Sequence, residues 1–266
     1  MIKILFIGDV VAKLGRQAVA EALPRIKEEN KVDLVLANAE NILHGRGVSA
    51  DRLEELRLVG VNGFTSGDHI FRHRDIISVI DDLPLARPAN YPEDIPGSGI
   101  IELDLGRKGI VLVVNLLGLG LMSSPTASPA SCPFRAIDKI FRECNPSDYS
   151  AVIVDIHAET TAEKAALAWY LDGRVSAVVG THTHVPTCDQ RILPKGTAFV
   201  SDVGMAGAYD SVLGVTKEVI IETLMYPYPT KFEWVEEGAR VFNSVLIEIG
   251  KNRQAVSIIR IDKTFL

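Results

Sequence analysis

Five apolar runs in this chain each end on side chains that can bind a cation or move a proton. Leu5-Phe6-Ile7-Gly8 leads into Asp9, and Leu34–Ala39 leads into Glu40-Asn41. Phe64-Thr65-Ser66-Gly67 leads into Asp68-His69, Val152–Ile156 into His157, and Val178–Thr181 into His182-Thr183-His184. In an open α/β sheet, ligands bind beyond the carboxyl ends of the strands. If the five runs are neighbouring strands, three carboxylates, one amide and four imidazoles meet at one sheet edge.

Each residue alone has a plainer role open to it. An Asp after a strand often caps a turn or a helix, and Glu40-Asn41 suits a loop start. Asp155, inside the fourth run, is an alternative ligand to His157; it equally suits a buried, hydrogen-bonded carboxylate. His44 and His73 follow no strand and suit solvated or capping roles, although the loop of His44 leaves the same edge. What the plainer roles do not account for is the joint occurrence at five strand ends. Mixed imidazole and carboxylate donors suit manganese, iron, cobalt, nickel or zinc better than magnesium or calcium. Eight candidates exceed one ion's need, whereas two ions sharing a carboxylate would use them. A pair of that kind activates water and neutralises a phosphoryl group in flight.

The elements that must carry these residues alternate between two periods. Apolar runs at Ile2–Ile7, Leu34–Ala37, Phe64–Ser66, Ile110–Leu117, Ala151–Ile156 and Val175–Val179 read as buried strands, with others at Ala198–Val200, Ser244–Ile249 and Ser257–Ile261. Helical spacing appears in Gly15–Glu28 (Val19, Leu23, Ile26), around Leu53, Leu56 and Val59, in Phe134–Cys144 and in Ala162–Leu171. This βαβα rhythm predicts a mostly parallel sheet with helices on both faces. Residues 119–133, rich in Ser, Pro and Ala, read as a loop, and Pro-punctuated connections fall at 84–96 and 226–229. No composition shift marks a boundary, so residues 1–266 are expected to form one domain.

Of the 266 residues, 47% are hydrophobic and 23% charged, which excludes wholesale disorder and fibrous repeats. No uncharged apolar run is long enough to span a bilayer, and the first residues read as a strand instead of a signal peptide. The expected location is the cytoplasm. Three cysteines without a CxxC pair suit reduced thiols. A net charge of −6 argues against a broad basic surface for duplex nucleic acid, but bound cations would still allow a small phosphorylated ligand.

Gly8-Asp9, Ser66-Gly67-Asp68-His69, the lone His157 and Gly180-Thr181-His182-Thr183-His184 occur in this order in the calcineurin-like metallophosphoesterases, which the chain resembles. It is most similar to their bacterial YmdB-like branch. The marks of that branch are Asn38-Ala39-Glu40-Asn41, Arg87-Pro88-Ala89-Asn90-Tyr91, Val114–Gly118, Asp155–Thr161 and Gly180–Thr187, and the resemblance spans essentially the whole chain. It implies an α/β/β/α sandwich of four layers around a dinuclear centre, and hydrolysis of phosphodiesters including 2′,3′-cyclic nucleotides. It also implies that Asp9, Glu40, Asn41 and His184 surround one ion, and that Glu40 bridges to a second held by Asp68, His157 and His182. His69 would stand beside the pair as general acid. The implied cofactors are two divalent or mixed-valence transition-metal ions, iron or manganese ahead of zinc. The implied partner is a small phosphodiester or nucleotide, extending to RNA ends, with no membrane; a homo-oligomer is left open.

One position departs from the family, which usually has Gly-Asn-His where this chain has Gly67-Asp68-His69. A carboxylate there still offers an oxygen, but adds negative charge that tightens cation binding and weakens the pull on phosphate. Two rivals remain: a phosphomonoesterase acting on nucleotides, and a nucleotide-sensing regulatory protein with little turnover. A dinucleotide-binding oxidoreductase is excluded, because no GxGxxG follows the first strand. Tyr91, Tyr209 and the 119–133 loop are candidates to line a substrate pocket.

Overall fold

The computed structural model describes residues 1–122, 130–227 and 230–266; the middle of the expected 119–133 loop and the end of the 226–229 connection lie outside them. In chain order the elements are β1 (Ile2–Val10), α1 (Ala12–Asn30), β2 (Leu34–Asn38), α2 (Ala50–Val59), β3 (Gly63–Thr65), β4 (Ile100–Asp104) and β5 (Ile110–Leu117). Then come α3 (Pro133–Glu143), β6 (Ala151–His157), α4 (Thr161–Leu171), β7 (Ala177–Thr181), β8 (Arg191–Ile192) and β9 (Ala198–Val200). The chain finishes with β10 (Met205–Ala208), α5 (Lys217–Met225), β11 (Arg240–Phe242), β12 (Ser244–Ile249), β13 (Ala255–Arg260) and β14 (Lys263–Phe265).

The strands form two sheets. In the first, β1 runs parallel to β2, and β2 to β3. The other edge of β1 is shared: β12 pairs antiparallel with Ile2–Ile7, and β10 pairs parallel at Asp9 and Val10. The second sheet has the order β4-β5-β6-β7-β9-β8, with β5, β6, β7 and β9 parallel and β4 and β8 antiparallel at its edges.

Alternation along the strands fixes the layers, because successive side chains point to opposite faces. Leu5, Ile7 and Val35 face α1 and α2, where they bury Val19, Leu23, Leu53 and Leu56. Ile4, Phe6, Leu34 and Leu36 point the other way, onto Val111, Val113, Ile153 and Val179 of the second sheet. On the far side of that sheet, Leu112, Val114, Val152 and Val154 pack against Ile137 of α3 and Leu167 and Leu171 of α4. The architecture is therefore an α/β/β/α sandwich of four layers, the metallophosphoesterase type, with three apolar layers between them. The expectation of one sheet with helices on both faces is corrected. Each sheet carries helices on one face and its fellow sheet on the other. A strand buried on both sides is apolar throughout in either arrangement.

Among the described residues, no helix is long and apolar enough to cross a membrane. Cys132, Cys144 and Cys188 are unpaired.

Candidate metal centre

The parallel strands of both sheets end in one place, and the side chains that follow them meet there. Asp9 comes from the end of β1, Glu40 and Asn41 follow β2, and Asp68 and His69 follow β3. Across the sandwich, His157 ends β6, and His182 and His184 follow β7. One ligand atom each from Glu40, Asp68, His157 and His182 lies within 4.8 Å of the others. Glu40 Oε1 lies 3.0 Å from His157 Nε2. His182 Nδ1 is 3.0 Å from His157 Nε2, and Asp68 Oδ1 is 3.7 Å from the same atom.

A second group lies on the other side of Glu40. Asn41 Nδ2 is 3.4 Å from Glu40 Oε1, 3.5 Å from Asp9 Oδ1 and 3.1 Å from His184 Nε2. His184 Nε2 is 3.7 Å from Asp9 Oδ1. All seven residues expected as ligands thus fall into two groups that share Glu40. His69 stands at the rim. Its Nδ1 is 3.1 Å from Glu40 Oε1, and its side chain is 29% exposed where that of His157 is fully buried.

Backbone geometry brings these groups close. A Cβ on Gly67 would come within 2.1 Å of Glu40 Oε2 and 2.3 Å of the His157 ring, so only glycine lets this loop pass. His182 and His184 hold φ angles of +98° and +63°, strained values for side-chain-bearing residues. The turn between them is tied down from below. Asp202 Oδ2 accepts hydrogen bonds from the backbone N and Oγ1 of Thr183 at 3.1 and 2.7 Å. The same oxygen accepts from Lys164 Nζ of α4 at 2.8 Å, and both members of this ion pair are buried.

Asp155 is held as a buried, hydrogen-bonded carboxylate. It is fully buried and accepts hydrogen bonds from Asn38 Nδ2, Thr65 Oγ1 and Thr181 Oγ1, at 2.8 Å from the last. Thr181 Oγ1 in turn accepts from His157 Nδ1 at 2.8 Å. This chain of hydrogen bonds places a proton on His157 Nδ1 and turns Nε2 toward the cluster, the orientation that supports a metal-binding imidazole. Asn38, Thr181, Lys164 and Asp202 were missed as supporting residues. Asn38 and Thr181 sit inside quoted motifs and were legible from position; Lys164 and Asp202 lie on separate apolar segments with no local mark.

The electrostatics are those of charges crowded out of water. Burial raises the Asp9 carboxyl to about 7. Burial pushes Glu40 up as well, but the His157 charge and the His157 and His69 hydrogen bonds pull it well below the ordinary carboxylate value. Asp68 is also lowered, burial being outweighed mainly by its interaction with His157. His157 is driven down by burial but lifted well above its usual value by Glu40 and Asp68. Burial and then the His157 charge depress His182 to about 4, and burial lowers His184. For His69, burial is outweighed by Glu40 and Asp68, and the imidazole is raised above 6.5.

The donor set fits cations. Asp68 Oδ1 is buried against the imidazoles and accepts no hydrogen bond among the described residues. Imidazole nitrogens and carboxylate oxygens converge within 4.8 Å of one another. That is costly for a bare cluster and favourable around positive charge.

A cleft of about 270 Å³ opens over the cluster, floored by Glu40, Asn41, His69, His182 and His184. Tyr91 lies elsewhere, on a separate cavity of about 440 Å³ beside α3, and Tyr209 is exposed away from this lining. His44 lines a neighbouring cavity with Lys13 and Arg16, and His73 Nε2 bonds the Arg46 carbonyl at 3.1 Å. Neither histidine joins the cluster.

Three relatives are similar to the chain over nearly its whole length. A Bacillus subtilis (strain 168) protein named 2′,3′-cyclic-nucleotide 2′-phosphodiesterase is 43% identical over 97% of this chain and 96% of its own length. The crystal structure of a hypothetical protein from Thermus thermophilus superposes with a TM-score of 0.91 at 38% identity, covering 99% of both chains. The crystal structure of a novel phosphatase from Mycoplasma pneumoniae gives 0.90 at 35% identity, covering 99% of this chain and 93% of that one. A family model described as YmdB-like protein matches residues 5–261, nearly the whole sandwich and every residue of both groups around Glu40, and the chain belongs to that family.

Proposed function

We propose that this protein is a metal-dependent phosphodiesterase acting on small nucleotides, with 2′,3′-cyclic nucleotides as the substrate class. The observation that carries this reading is the pair of ligand groups sharing Glu40 at the meeting point of two sheets. Similarity to the Bacillus subtilis phosphodiesterase supports it. Asp9, Asn41 and His184 would hold one ion, Asp68, His157 and His182 a second, and Glu40 both. Bound there, such ions supply positive charge for a phosphoryl group and lower the pKa of water. Iron or manganese is the expected metal, with zinc next. The same chemistry extends to RNA ends that carry a cyclic phosphate, and the cytoplasm is the expected site of action.

The protein's own groups divide the remaining work. Glu40 and Asp68 hold the imidazoles in place. Glu40 Oε1 accepts from His69 Nδ1 and so turns the other ring nitrogen, Nε2, away from the bridging carboxylate. Glu40 and Asp68 favour the protonated ring of His69 against the effect of burial, and that proton is the one proposed to pass to the departing oxygen. The partly exposed rim position gives that proton access to the cleft.

Two measurements test the reading together. Elemental analysis of gently purified protein should find two equivalents of iron, manganese or zinc per chain. Hydrolysis of bis-p-nitrophenyl phosphate should exceed that of p-nitrophenyl phosphate. A reversed preference would favour a phosphomonoesterase, and stoichiometric nucleotide binding without turnover would favour a sensor.

A further inference from the structure

The cleft over the cluster has two unlike sides. Its floor is imidazole and carboxylate, while Val212, Leu213, Val215, Ile220, Phe232 and Trp234 make its wall. All six wall residues come from the segment between β10 and β11. That segment is fastened to itself and to the loop after β2. Val215 bridges antiparallel to Trp234, and Thr216 N donates to the Glu233 carbonyl at 2.8 Å. Trp234 lies against Gly45, where a Cβ would come within 2.2 Å of the indole ring. Phe232 has a different setting. It is half-buried, and the Arg46 guanidinium carbon lies 5.2 Å from its ring centroid.

A cation-binding floor beside a carbon wall suits a ligand that is anionic at one end and flat and weakly hydrated at the other. We infer that the wall is a nucleobase subsite in which Phe232 and Arg46 form the stacking platform. This rests on the phosphodiesterase reading of the floor and names the part of the substrate that the wall recognises. An acyl chain is the other apolar ligand to weigh. It would cover the Arg46 guanidinium without offering it a partner, at a desolvation cost. A base stacks on guanidinium planes and aromatic faces alike, and a cleft of about 270 Å³ suits a compact ligand.

The test compares two five-membered cyclic phosphates, one with a base and one without. The full chain loaded with Mn²⁺ is assayed on 2′,3′-cyclic AMP and on glycerol 1,2-cyclic phosphate, as wild type, Phe232→Ala and Phe232→Trp. The ratio of kcat/KM for the nucleotide to that for the glycerol compound should fall about 10- to 100-fold in Phe232→Ala, chiefly through KM. Phe232→Trp should recover it. An unchanged ratio, or equal losses on both substrates, would overturn the subsite. Calorimetric binding of adenosine 3′-monophosphate and of glycerol phosphate gives a second readout without turnover. If wild type hydrolyses neither cyclic phosphate, the phosphodiesterase reading fails, and binding decides the subsite by itself. Tighter binding of the nucleotide that weakens about tenfold in Phe232→Ala upholds it; equal binding of the two ligands overturns it.

Discussion

His69 and Asp68 are adjacent in sequence and face the same cluster, yet they do different things to it. His69 touches Glu40 through Nδ1 at the exposed rim. His69→Ala should therefore leave metal content near normal and slow a diester with an alkoxide leaving group by about 10²–10⁴-fold. The loss should shrink for p-nitrophenolate, which needs no proton. Collapse of metal content in this variant would make His69 a ligand. Asp68 lies deeper, its Oδ1 3.7 Å from His157 Nε2 and 4.0 Å from His182 Nδ1. Asp68→Asn removes one negative charge from the cluster. It should weaken metal retention against a chelator yet raise diester turnover at saturating metal, because more positive potential then meets the charge of the transition state. Unchanged chelator sensitivity would place Asp68 outside the ligand set. These residues were legible because each follows an apolar run that could only be a strand. Asp155 was ambiguous for the same reason: only its partners Asn38, Thr65 and Thr181, brought from three other strand ends, decide its role.

At the scale of elements, the His182–His184 turn depends on a helix it never touches in sequence. Lys164 of α4 neutralises Asp202, which holds Thr183. Lys164→Met would leave a buried carboxylate unpaired, at a cost of about 3–5 kcal/mol in denaturant unfolding. It should also speed metal loss to a chelator, since both flanking imidazoles lose their anchor. Normal metal retention in a destabilised variant would confine the pair to a structural role. Asp189 acts on the following loop. Burial raises its carboxyl, but hydrogen bonds from Ser201 and Thr187 outweigh this and hold it below the ordinary 3.8. A depressed folded value means that the stabilisation is present above the ordinary value and lost as pH falls through the lower one. Asp189→Asn should flatten thermal stability against pH below about pH 4, and an unaltered acid limb would discount the group. The elements that sequence missed have physical reasons. Strand β10 reads Met-Ala-Gly-Ala, with little β-forming character, and α5 buries none of its residues fully, so no apolar face announces it.

Across the whole molecule, the sheet-to-sheet layer is the common core. Phe6 is fully buried in it, between Ile4 and Leu36 on its own sheet and Val113 and Ile153 opposite. Phe6→Ala should cost about 3–5 kcal/mol, and far- and near-ultraviolet circular dichroism should lose signal in one transition. Two separated transitions would mean that the sheets hold independently. The layer was not legible from patterning, because a helix and a second sheet demand the same apolar face from a strand. The strand ends were legible in either case, and the four-layer architecture was legible only through the resemblance that the motifs carry.

Of the described strands, β1 is made before all the others, while β10 and β12, which share one of its edges, are made about 200 residues later or more. At about 5–20 residues per second, that edge waits on the order of ten seconds or more. During that time the Asp9 end of β1 can lean only on β2, while β5 to β7 can already assemble beside them. Synthesis therefore imposes a timetable on the candidate metal centre: the carboxylates are made early and the imidazoles midway. The strand that locks the Asp9 end follows close behind, so a nascent chain stalled before β10 should hold cations poorly even with every ligand already translated.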